Sequence, residues 1–511
     1  MSKWHTATLA DALPARKRKL PIFMDRPMEL APDVGCELDY GTLADLVVAT
    51  SARLAAAGVR ADDRVVVNKS NGLDVVILAF SAMRLGAVPA LISPMVRPQE
   101  AEELLGILAP RLLATDRQTA AAGSLAGLEL DRLAARACVV DGGDGERLPD
   151  PATPAPEPAA PRDEEAPVLI THSSGTTGTP KLCAQRRAAF ESTIGINRRF
   201  ARALRFRGTV AFNLSAVHLR TMAAMGAVMR VNLPLLFISG FDPQRSVEML
   251  ARHRPSIVEA HPASYVDWEP FIATHPEAFE RGKFWFSNFD AVHPRTVKAL
   301  LGASRRFVPV YASAYGQTES GPITTRFDTR LTAKHADGRC VGFPILGYSK
   351  VRIGGGERKR GEVGEIEVRS KGLVSDYLGR TELYEAKRDG DWWSMGDVGF
   401  RTRRGCLHVL DREVDAVEGV QSLLALEDTL MERIPAAREV VLIPADEGPP
   451  VPLVASYDGA EITADVWDAS AADLEPTAPP LFLGYDEIPR TATGKVQRLR
   501  TRELLREGAL R

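Results

Sequence analysis

Residues 172–181 limit what this chain can fold into more than any other segment. They read His-Ser-Ser-Gly-Thr-Thr-Gly-Thr-Pro-Lys and stand one residue beyond the apolar run 166–170. A strand that ends in a turn of glycines and hydroxyl residues presents N–H and O–H donors to phosphate oxygens. The turn is not a Walker A loop, because no Gly-Lys-Ser/Thr triplet closes it. It predicts a polyphosphate-binding turn after a strand, and an ordinary surface turn is the alternative.

The alternating pattern of residues 40–120 predicts the fold class. Apolar spacing indicates helices over 40–57 and 74–85, and short apolar runs indicate strands over 63–67 and 88–92. Helices and strands that alternate in this way build βαβ units around a mainly parallel sheet. We therefore expect an α/β protein.

Two segments differ in composition from their surroundings. Proline, alanine and acidic residues dominate 148–167, which predicts a flexible connection that leads into the phosphate turn. The glycine-, arginine- and glutamate-rich residues 354–368 predict strands joined by tight turns.

Composition excludes several classes of function. A length of 511 residues favours two or more domains, and a net charge of −2 gives no electrostatic case for binding nucleic acid or a membrane surface. The most hydrophobic stretch, 75–92, is interrupted by Arg84 and Pro89, which favours a buried core over a membrane span. Five scattered cysteines without metal-ligand spacing predict a cytoplasmic protein with neither a disulfide framework nor zinc: Cys36, Cys138, Cys183, Cys340 and Cys406.

Four further motifs follow the phosphate turn in a fixed order. They are Tyr315-Gly316-Gln317-Thr318-Glu319, Gly396-Asp397, Asp411-Arg412 and Pro489-Arg490-Thr491-Ala492-Thr493-Gly494-Lys495. Together with 173–181, this set resembles the signature of the adenylate-forming superfamily, which contains acyl-CoA synthetases, nonribosomal peptide adenylation domains and firefly-type luciferases. The resemblance covers essentially the whole chain. It implies a large N-terminal domain over 1–410 and a small, mobile α+β lid domain over 411–511 that carries a catalytic lysine.

The resemblance also implies ATP and Mg²⁺, with CoA or phosphopantetheine as acceptor, and gives each motif a role. Tyr315 would stack on adenine, and Thr318 would contact the α-phosphate beside Gly316 and Gln317. Asp397 and Arg412 would bind the ribose. The pyrophosphate cradle would consist of Ser173, Ser174, Gly175, Thr176, Thr177, Gly178 and Lys181.

The implied catalytic group combines a metal site with a mobile cation. Glu319 and Thr176 would hold Mg²⁺, and Lys495 would swing in to neutralise the α-phosphate and the attacking anion. His218 would guard the carboxylate pocket, although a lone histidine is as often structural. The alternative for Lys495 is an ordinary basic tail, and for Arg412 a salt bridge between domains.

Three departures from the family pattern concern the substrate and the second half-reaction. The segment expected beside the substrate is polar and bulky at Asn288, Phe289, Asp290 and Ala291, which disfavours a long fatty acyl chain and favours a small aromatic or polar acid. Val414 stands where the family commonly has Asp or Lys at the hinge. Glu418-Gly419 follows early, which suggests a trimmed loop at the thiol tunnel.

The leading hypothesis is an AMP-forming ligase that adenylates a small carboxylic acid and transfers it to CoA or to a carrier-protein thiol. An enzyme of the same fold that activates another anion, such as nitrite for an aryl amine, is the first alternative. A non-catalytic nucleotide-binding relative is the second. The expected partners are a small-molecule acid and a carrier protein, with no nucleic acid and no membrane.

Overall fold

The computed structural model describes residues 4–140, 147–173, 180–335, 337–354, 361–412, 422–457, 460–491 and 494–510. The strands in this part of the chain are β1 (Pro21–Met24), β2 (Glu37–Asp39), β3 (Arg64–Val67), β4 (Val88–Leu91), β5 (Leu112–Thr115), β6 (Ala137–Val139), β7 (Pro167–His172), β8 (Leu182–Arg186), β9 (Val210–Asn213), β10 (Leu235–Phe237), β11 (Ile257–Ala260), β12 (Phe284–Ser287), β13 (Val310–Gln317), β14 (Gly321–Asp328), β15 (Cys340–Pro344), β16 (Ser349–Ile353), β17 (Gly364–Ser370), β18 (Asp376–Tyr377), β19 (Arg388–Asp389), β20 (Trp392–Arg401), β21 (Leu407–Arg412), β22 (Ala437–Ile443), β23 (Val451–Ser456) and β24 (Leu481–Phe482).

The α-helices are α1 (Ala15–Arg18), α2 (Tyr40–Ala56), α3 (Leu73–Arg84), α4 (Pro98–Leu108), α5 (Arg117–Ala122), α6 (Leu130–Leu133), α7 (Arg187–Ala203), α8 (Leu219–Val228), α9 (Pro243–His253), α10 (Pro262–Trp268), α11 (Pro294–Ala303), α12 (Thr381–Glu385), α13 (Leu423–Arg433), α14 (Ala464–Ala471) and α15 (Arg498–Arg506). The helices and strands expected between residues 40 and 92 are all present. Each of these helices and strands begins and ends within one residue of the predicted position. Capping residues contribute to this agreement, because they stand where the apolar pattern begins or ends. Asp39, for example, caps α2 by accepting from the N–H of Thr42.

Two large sheets form most of the molecule. A 14-stranded sheet runs in the order β16-β17-β20-β21-β15-β14-β13-β12-β11-β9-β10-β1-β2, with β19 against β20. It is parallel from β1 through β13 and antiparallel from β13 to β16. A seven-stranded sheet, β18-β8-β7-β4-β3-β5-β6, is parallel from β7 to β6. The expected α/β fold class is confirmed.

A third, smaller unit follows the two sheets. β21 ends at Arg412 inside the large sheet, and the next described residues begin helix α13. From there the chain builds a three-stranded sheet, β22-β23-β24, around an apolar core that includes Leu430, Val440 and Trp467. The expected boundary at 410–411 stays a prediction. Val414 and Glu418-Gly419 lie outside the described residues.

The structure shows one local irregularity and corrects one expectation about local structure. Gly316 lies within β13, where the pairing with β14 shifts register after Tyr315. A side chain at this position would meet the backbone of Gly321, since a Cβ would stand 2.1 Å from its carbonyl oxygen. The connection 148–167 is irregular, yet polar contacts hold it to the seven-stranded sheet. Arg162 pairs with Asp62 at 2.6 Å and donates to the Gly86 carbonyl.

The expectation of unpaired cysteines is wrong for one pair. Cys340 in β15 and Cys406, one residue before β21, form a disulfide with a Cα–Cα distance of 6.9 Å. These strands are neighbours in the sheet, but 66 residues separate the two cysteines along the chain. Their spacing in the sequence therefore gave no sign of the pairing. In the ranges given above, every helix is too short or too polar to cross a bilayer.

Candidate active site

The base of the expected phosphate turn is closed by two hydrogen bonds. β7 and β8 lie antiparallel on either side of it. The Ser173 N–H donates to the Lys181 carbonyl at 2.9 Å, and the Lys181 N–H donates to the Ser173 hydroxyl oxygen at 3.0 Å. The structure thus places the first and last residues of the motif together. Ser174, Gly175, Thr176, Thr177 and Gly178 lie outside the described residues.

Tyr377, a residue that the sequence analysis did not single out, contacts both Glu319 and Lys181, the last residue of the phosphate turn. Tyr377 of β18 donates its hydroxyl to the Glu319 carboxylate at 2.5 Å, and the Lys181 ammonium lies 5.8 Å from the centre of the Tyr377 ring. Burial, and then the Glu319 carboxylate, raise the pKa of Tyr377, so the phenol keeps its proton. Burial lowers the pKa of Lys181, and Glu319 partly opposes this shift. The three side chains form one electrostatic unit.

The residues between Tyr315 and Glu319 are fixed by the neighbouring sheet. Thr318 presents its carbonyl to the buried Gln185 amide of β8 at 3.0 Å. Gln317 donates to the sulfur of Met395 at 3.2 Å. The first contact joins the large sheet to β8, the strand that follows the phosphate turn, and the second joins β13 to β20 within the large sheet.

The three candidate residues for adenosine lie together on β13, β20 and β21. The Tyr315 hydroxyl donates to the Asp397 carboxylate at 2.5 Å, and the Arg412 Nε atom lies 3.8 Å from the other carboxylate oxygen. Asp397 and Arg412 are direct partners in the antiparallel pairing of β20 with β21. An aromatic ring beside a carboxylate and a guanidinium offers a stacking surface for a base and acceptors for vicinal hydroxyls.

Lys495 reaches the large part of the molecule from the C-terminal unit. Its ammonium lies 3.7 Å from the Asp290 carboxylate, in the segment that follows β12. The preceding Gly494 adopts φ +78°, and a Cβ there would approach Ala263 of α10 to 2.9 Å. Glycine therefore permits both the backbone turn and the close approach. Ala492 and Thr493 of the same motif lie outside the described residues.

Further contacts hold the C-terminal unit in this position. Arg438 of β22 forms an ion pair with Asp267 of α10. The Arg295 guanidinium donates to the Ala437 carbonyl at 3.0 Å, and the His293 Nε2 atom lies 3.0 Å from the Asp428 carbonyl oxygen. Lys495 is thus placed near residue 290 by a polar interface as well as by its own ion pair.

Three buried histidines lie between the phosphate turn and the segment after β12. The His218 ring lies 6.5 Å from each of the His172 and His261 rings and 5.3 Å from Phe289. Burial, and then the other two imidazoles, lower the pKa of His218 well below its usual value, and burial lowers that of His261 to about 3. Burial also lowers the pKa of His172, so all three rings are neutral at pH 7. The His218 Nε2 atom has no hydrogen-bond partner among the described residues.

A cavity of about 850 Å³ of unfilled space, including its mouth, opens beside this cluster. Its walls are largely aliphatic and aromatic, with Phe200, Phe206, Phe286 and Phe327 among them. Asn288, one of the predicted substrate-pocket residues, lines the cavity, and its role there stays a prediction. His218 and Phe289 belong to the adjoining histidine cluster, Asp290 contacts Lys495, and Ala291 is exposed.

Sequence reasoning missed the polar group in this cavity. Arg220 of α8 donates from Nε and Nη2 to the two carboxylate oxygens of Glu259 at 2.5 and 2.6 Å, and from Nη1 to the Asn197 side-chain oxygen at 2.6 Å. Asn288 donates to the same carboxylate at 2.7 Å. A signal was present for Glu259, because this charge interrupts the apolar run 257–260. Isolated charges in such runs are usually paired or functional.

Comparisons with known proteins identify the family of this chain. The sequence model of the AMP-binding enzyme family matches residues 15–378. A 3-amino-2-hydroxy-4-methoxybenzoate diazotase of Streptomyces cremeus is 37% identical over 506 residues, which cover 94% of this chain and 91% of that protein. A 4-chlorobenzoate–CoA ligase of an Arthrobacter species is 26% identical over 93% of this chain and 92% of that protein.

Solved structures share the fold. The anthranilate CoA ligase AuaEII in complex with anthranoyl-AMP superposes with a TM-score of 0.82 at 20% identity, covering 99% of this chain and 97% of that one. The family match, the relatives and the fold together define an adenylate-forming enzyme, as the motifs indicated. The chain belongs to the AMP-binding enzyme family.

Proposed function

We propose that this enzyme is an ATP-dependent diazotase, which activates nitrite as an anhydride with AMP and passes the nitrosyl group to an aryl amine. The observation that carries the proposal is the 37% identity, over 94% of the chain, to a protein named as a diazotase of a substituted aminobenzoate. The cavity supports it, since its aromatic walls and its polar group suit a benzene ring with ionised or hydroxyl substituents. Consumption of ATP is in keeping with a cytoplasmic enzyme.

The first step is the transfer of AMP to nitrite. A nitrite oxygen attacks the α-phosphorus, the bond from that phosphorus to the bridging oxygen breaks, and pyrophosphate leaves. Ser173 and Lys181 flank the turn that would receive the leaving group. Lys495 would move its ammonium from Asp290 to the α-phosphate, where two anions approach each other.

Glu319 is the proposed ligand for Mg²⁺. Carboxylate oxygens suit this cation, and the Tyr377 hydroxyl fixes the orientation of the Glu319 carboxylate without bringing a second charge. The donor chemistry of the described residues therefore fits the metal, and Thr176 is the further ligand proposed from the motif. Bound Mg²⁺ would neutralise charge on the triphosphate.

The second step joins the activated nitrogen to the amine. The amine lone pair attacks the nitrosyl nitrogen, the N–O bond breaks, and AMP leaves. The amine loses a proton, and the neutral His218, with its unpartnered Nε2, is the proposed acceptor. The nitrosamine tautomerises to the diazohydroxide. Protonation and loss of water then give the diazonium ion. The nitrite nitrogen is reduced and the amine nitrogen is oxidised by the same number of electrons, so no external oxidant or reductant is needed.

An aryl-acid ligase that uses CoA is the second candidate. It is favoured by the 26% identity to a 4-chlorobenzoate–CoA ligase over nearly the whole chain. In that reaction the carboxylate of the substrate would take the place of nitrite at the α-phosphorus, and CoA or a carrier-protein thiol would be the acceptor.

Nitrite-dependent AMP formation separates the two candidates. The purified enzyme with Mg-ATP at pH 8 is incubated with a panel of aminohydroxybenzoates, with and without nitrite, and AMP and pyrophosphate are quantified. We expect AMP only when nitrite is present, together with a product that couples to an electron-rich arene as an azo dye. ¹⁵N-nitrite should place one ¹⁵N atom in that dye.

Lys495→Ala is the control for the chemical step, because it removes the cation while the enzyme still binds ATP. We expect it to lower nitrite-dependent AMP formation at least a hundredfold, in the range observed when one electrostatic stabiliser of a transition state is removed. AMP that forms with an aryl acid and CoA in the absence of nitrite would overturn the diazotase proposal and favour the second candidate.

A further inference from the structure

The paired arginine in the cavity indicates how the aryl substrate is oriented, an inference that rests on the proposed diazotase function. Arg220 is the only cation among the described residues that line the cavity. Its side chain is 19% exposed and that of Glu259 is 4% exposed, so water contributes little to the solvation of this pair. Placing a charged pair in an apolar cavity carries a desolvation cost, which a ligand contact would offset.

The guanidinium keeps donors for a ligand. It has five N–H groups, of which two point to Glu259 and one to Asn197. The other two have no partner within the part of the chain that the structure describes. Two N–H groups can hold a carboxylate in charge-assisted hydrogen bonds.

The pair lies well away from the nucleotide-binding residues. Glu259 stands beside Phe286 in the sheet, and Phe286 stands beside Ala312 of β13. Tyr315 follows Ala312 by three residues, which is about 10 Å along the strand. Two strand spacings, roughly 10 Å, separate β11 from β13 in the perpendicular direction. The backbones of Glu259 and Tyr315 are therefore about 14 Å apart, so the guanidinium that pairs with Glu259 is remote from the nucleotide-binding residues.

We propose that Arg220 binds the carboxylate of an aminobenzoate at this remote position and so turns the amine toward the nucleotide. A ligase that adenylates the acid needs the opposite orientation, with the carboxylate at the α-phosphorus. A guanidinium remote from the nucleotide disfavours that orientation, because the carboxylate would leave a charge-assisted partner behind. Arg220 thereby selects reaction at the amine and makes an anionic aryl amine the preferred substrate class.

The test compares an acid with its neutral isostere. Removing Arg220 alone would leave the Glu259 charge buried and unpaired, so the variant is the double substitution R220M/E259Q, which keeps an acceptor for Asn288. The probes are 3-amino-2-hydroxybenzoate and 3-amino-2-hydroxybenzamide. In the wild type, kcat/KM with nitrite should favour the acid. In R220M/E259Q this preference should fall roughly tenfold to a hundredfold, the usual contribution of hydrogen bonds to a charged group.

A matched ion pair outside the cavity is the control. R245M/E248Q removes a pair on the surface of α9, in which the charged atoms are 3.6 Å apart, and should leave the acid preference as in the wild type. Circular dichroism and thermal melting of both double variants check that each is folded.

Two measurements separate this inference from the proposed function. Calorimetry with enzyme that holds a non-hydrolysable ATP analogue compares binding of the acid and the amide without any chemistry. Equal affinities in the wild type would overturn the role of Arg220, whatever the reaction. Binding that depends on Arg220, without nitrite-dependent AMP, would refute the diazotase and retain the carboxylate site.

The second measurement tests the orientation itself. The acid is supplied with ATP and hydroxylamine but no nitrite, so that any acyl-AMP is trapped as the hydroxamate. The wild type should form almost none, and R220M/E259Q should form more, because the carboxylate is free to turn toward the nucleotide. Hydroxamate that forms in the wild type and does not increase in the variant would overturn the proposed orientation.

Discussion

The Tyr377 hydroxyl donates a hydrogen bond of 2.5 Å to the carboxylate of Glu319, the proposed metal ligand. Among the described residues, no other side chain donates to this carboxylate. Tyr377→Phe removes that hydroxyl and keeps the ring, which packs near Trp393 and Lys181. A hydrogen bond to a charged group contributes about 1.5–3 kcal/mol. We therefore expect the KM for Mg-ATP to rise about tenfold or more, measured as pyrophosphate release over an ATP titration.

Tyr384→Phe is the matched control for this substitution. The Tyr384 hydroxyl donates to the Val374 carbonyl at 2.8 Å, and its ring lies 5.8 Å from that of Tyr377. Its loss should lower the free energy of unfolding by about 1 kcal/mol and leave the KM for Mg-ATP unchanged. An equal KM change in both variants would mean that Tyr377 supports only the packing.

At the scale of single elements, the segment after β12 contains a residue whose strained backbone is held in place by side-chain contacts. Phe289 adopts φ +82°, a left-handed conformation that side chains with a Cβ disfavour, and its ring lies 4.5 Å from His261. Strain of this kind persists where surrounding contacts enforce it and is frequent at functional sites. At Phe289, the ring contacts with the histidine cluster hold the backbone in this conformation.

Because of this strain, we expect the usual order of stability of alanine and glycine variants to be reversed at residue 289. Phe289→Ala and Phe289→Gly both remove the ring, but only glycine relieves the left-handed backbone. Glycine usually lowers stability relative to alanine; here we expect the Gly variant to be about 1–2 kcal/mol more stable than the Ala variant. Urea unfolding of both variants measures the difference. A less stable Gly variant would show that residue 289 leaves the left-handed region in solution.

The elements also show which features a sequence discloses. The local sequence pattern was sufficient to predict β3, α3 and β4, because helix caps and apolar spacing depend on residues close together in the sequence. Glu319 and Asp397 could also be singled out from the sequence, because each belongs to a motif of a few consecutive residues. Tyr377 gave no such signal: it contacts Glu319 across 58 residues through a two-residue strand.

Long-range pairing explains the remaining differences. Arg220 and Glu259 are 39 residues apart, and only the neighbouring positions of α8 and β11 beside the cavity show that they form a pair. The disulfide between Cys340 and Cys406 depends in the same way on the order of strands in the large sheet. The sequence reveals that a charge or thiol is unusual, and the topology reveals its partner.

At the scale of the whole molecule, the interface of the C-terminal unit contains a carboxyl group that is sensitive to pH. Asp428 of α13 lies against residues 337–338, next to the strand pair that carries Arg412, and its carbonyl oxygen faces His293. Burial, and then the Glu427 and Asp337 carboxylates, raise the pKa of Asp428 to about 7. The folded protein therefore keeps this proton at pH values where the unfolded chain has lost it.

The sign of the pH effect follows from that difference. Between about pH 4 and pH 7 the folded state binds more protons than the unfolded state, so this group lowers the free energy of unfolding as the pH rises. Asp428→Asn removes the ionisation. We expect the variant to match the wild type near pH 4.5 and to exceed it by about 1–3 kcal/mol at pH 8, measured by urea unfolding.

Asp468→Asn provides the comparison, because Asp468 is an exposed carboxyl group on α14 of the same unit. Its substitution should change the free energy of unfolding little, and equally at both pH values. A gain for Asp428→Asn that is the same at pH 4.5 and pH 8 would mean that the side chain contributes through packing alone. A gain confined to pH 8 would identify this carboxyl group as a site where deprotonation loosens the C-terminal unit that carries Lys495.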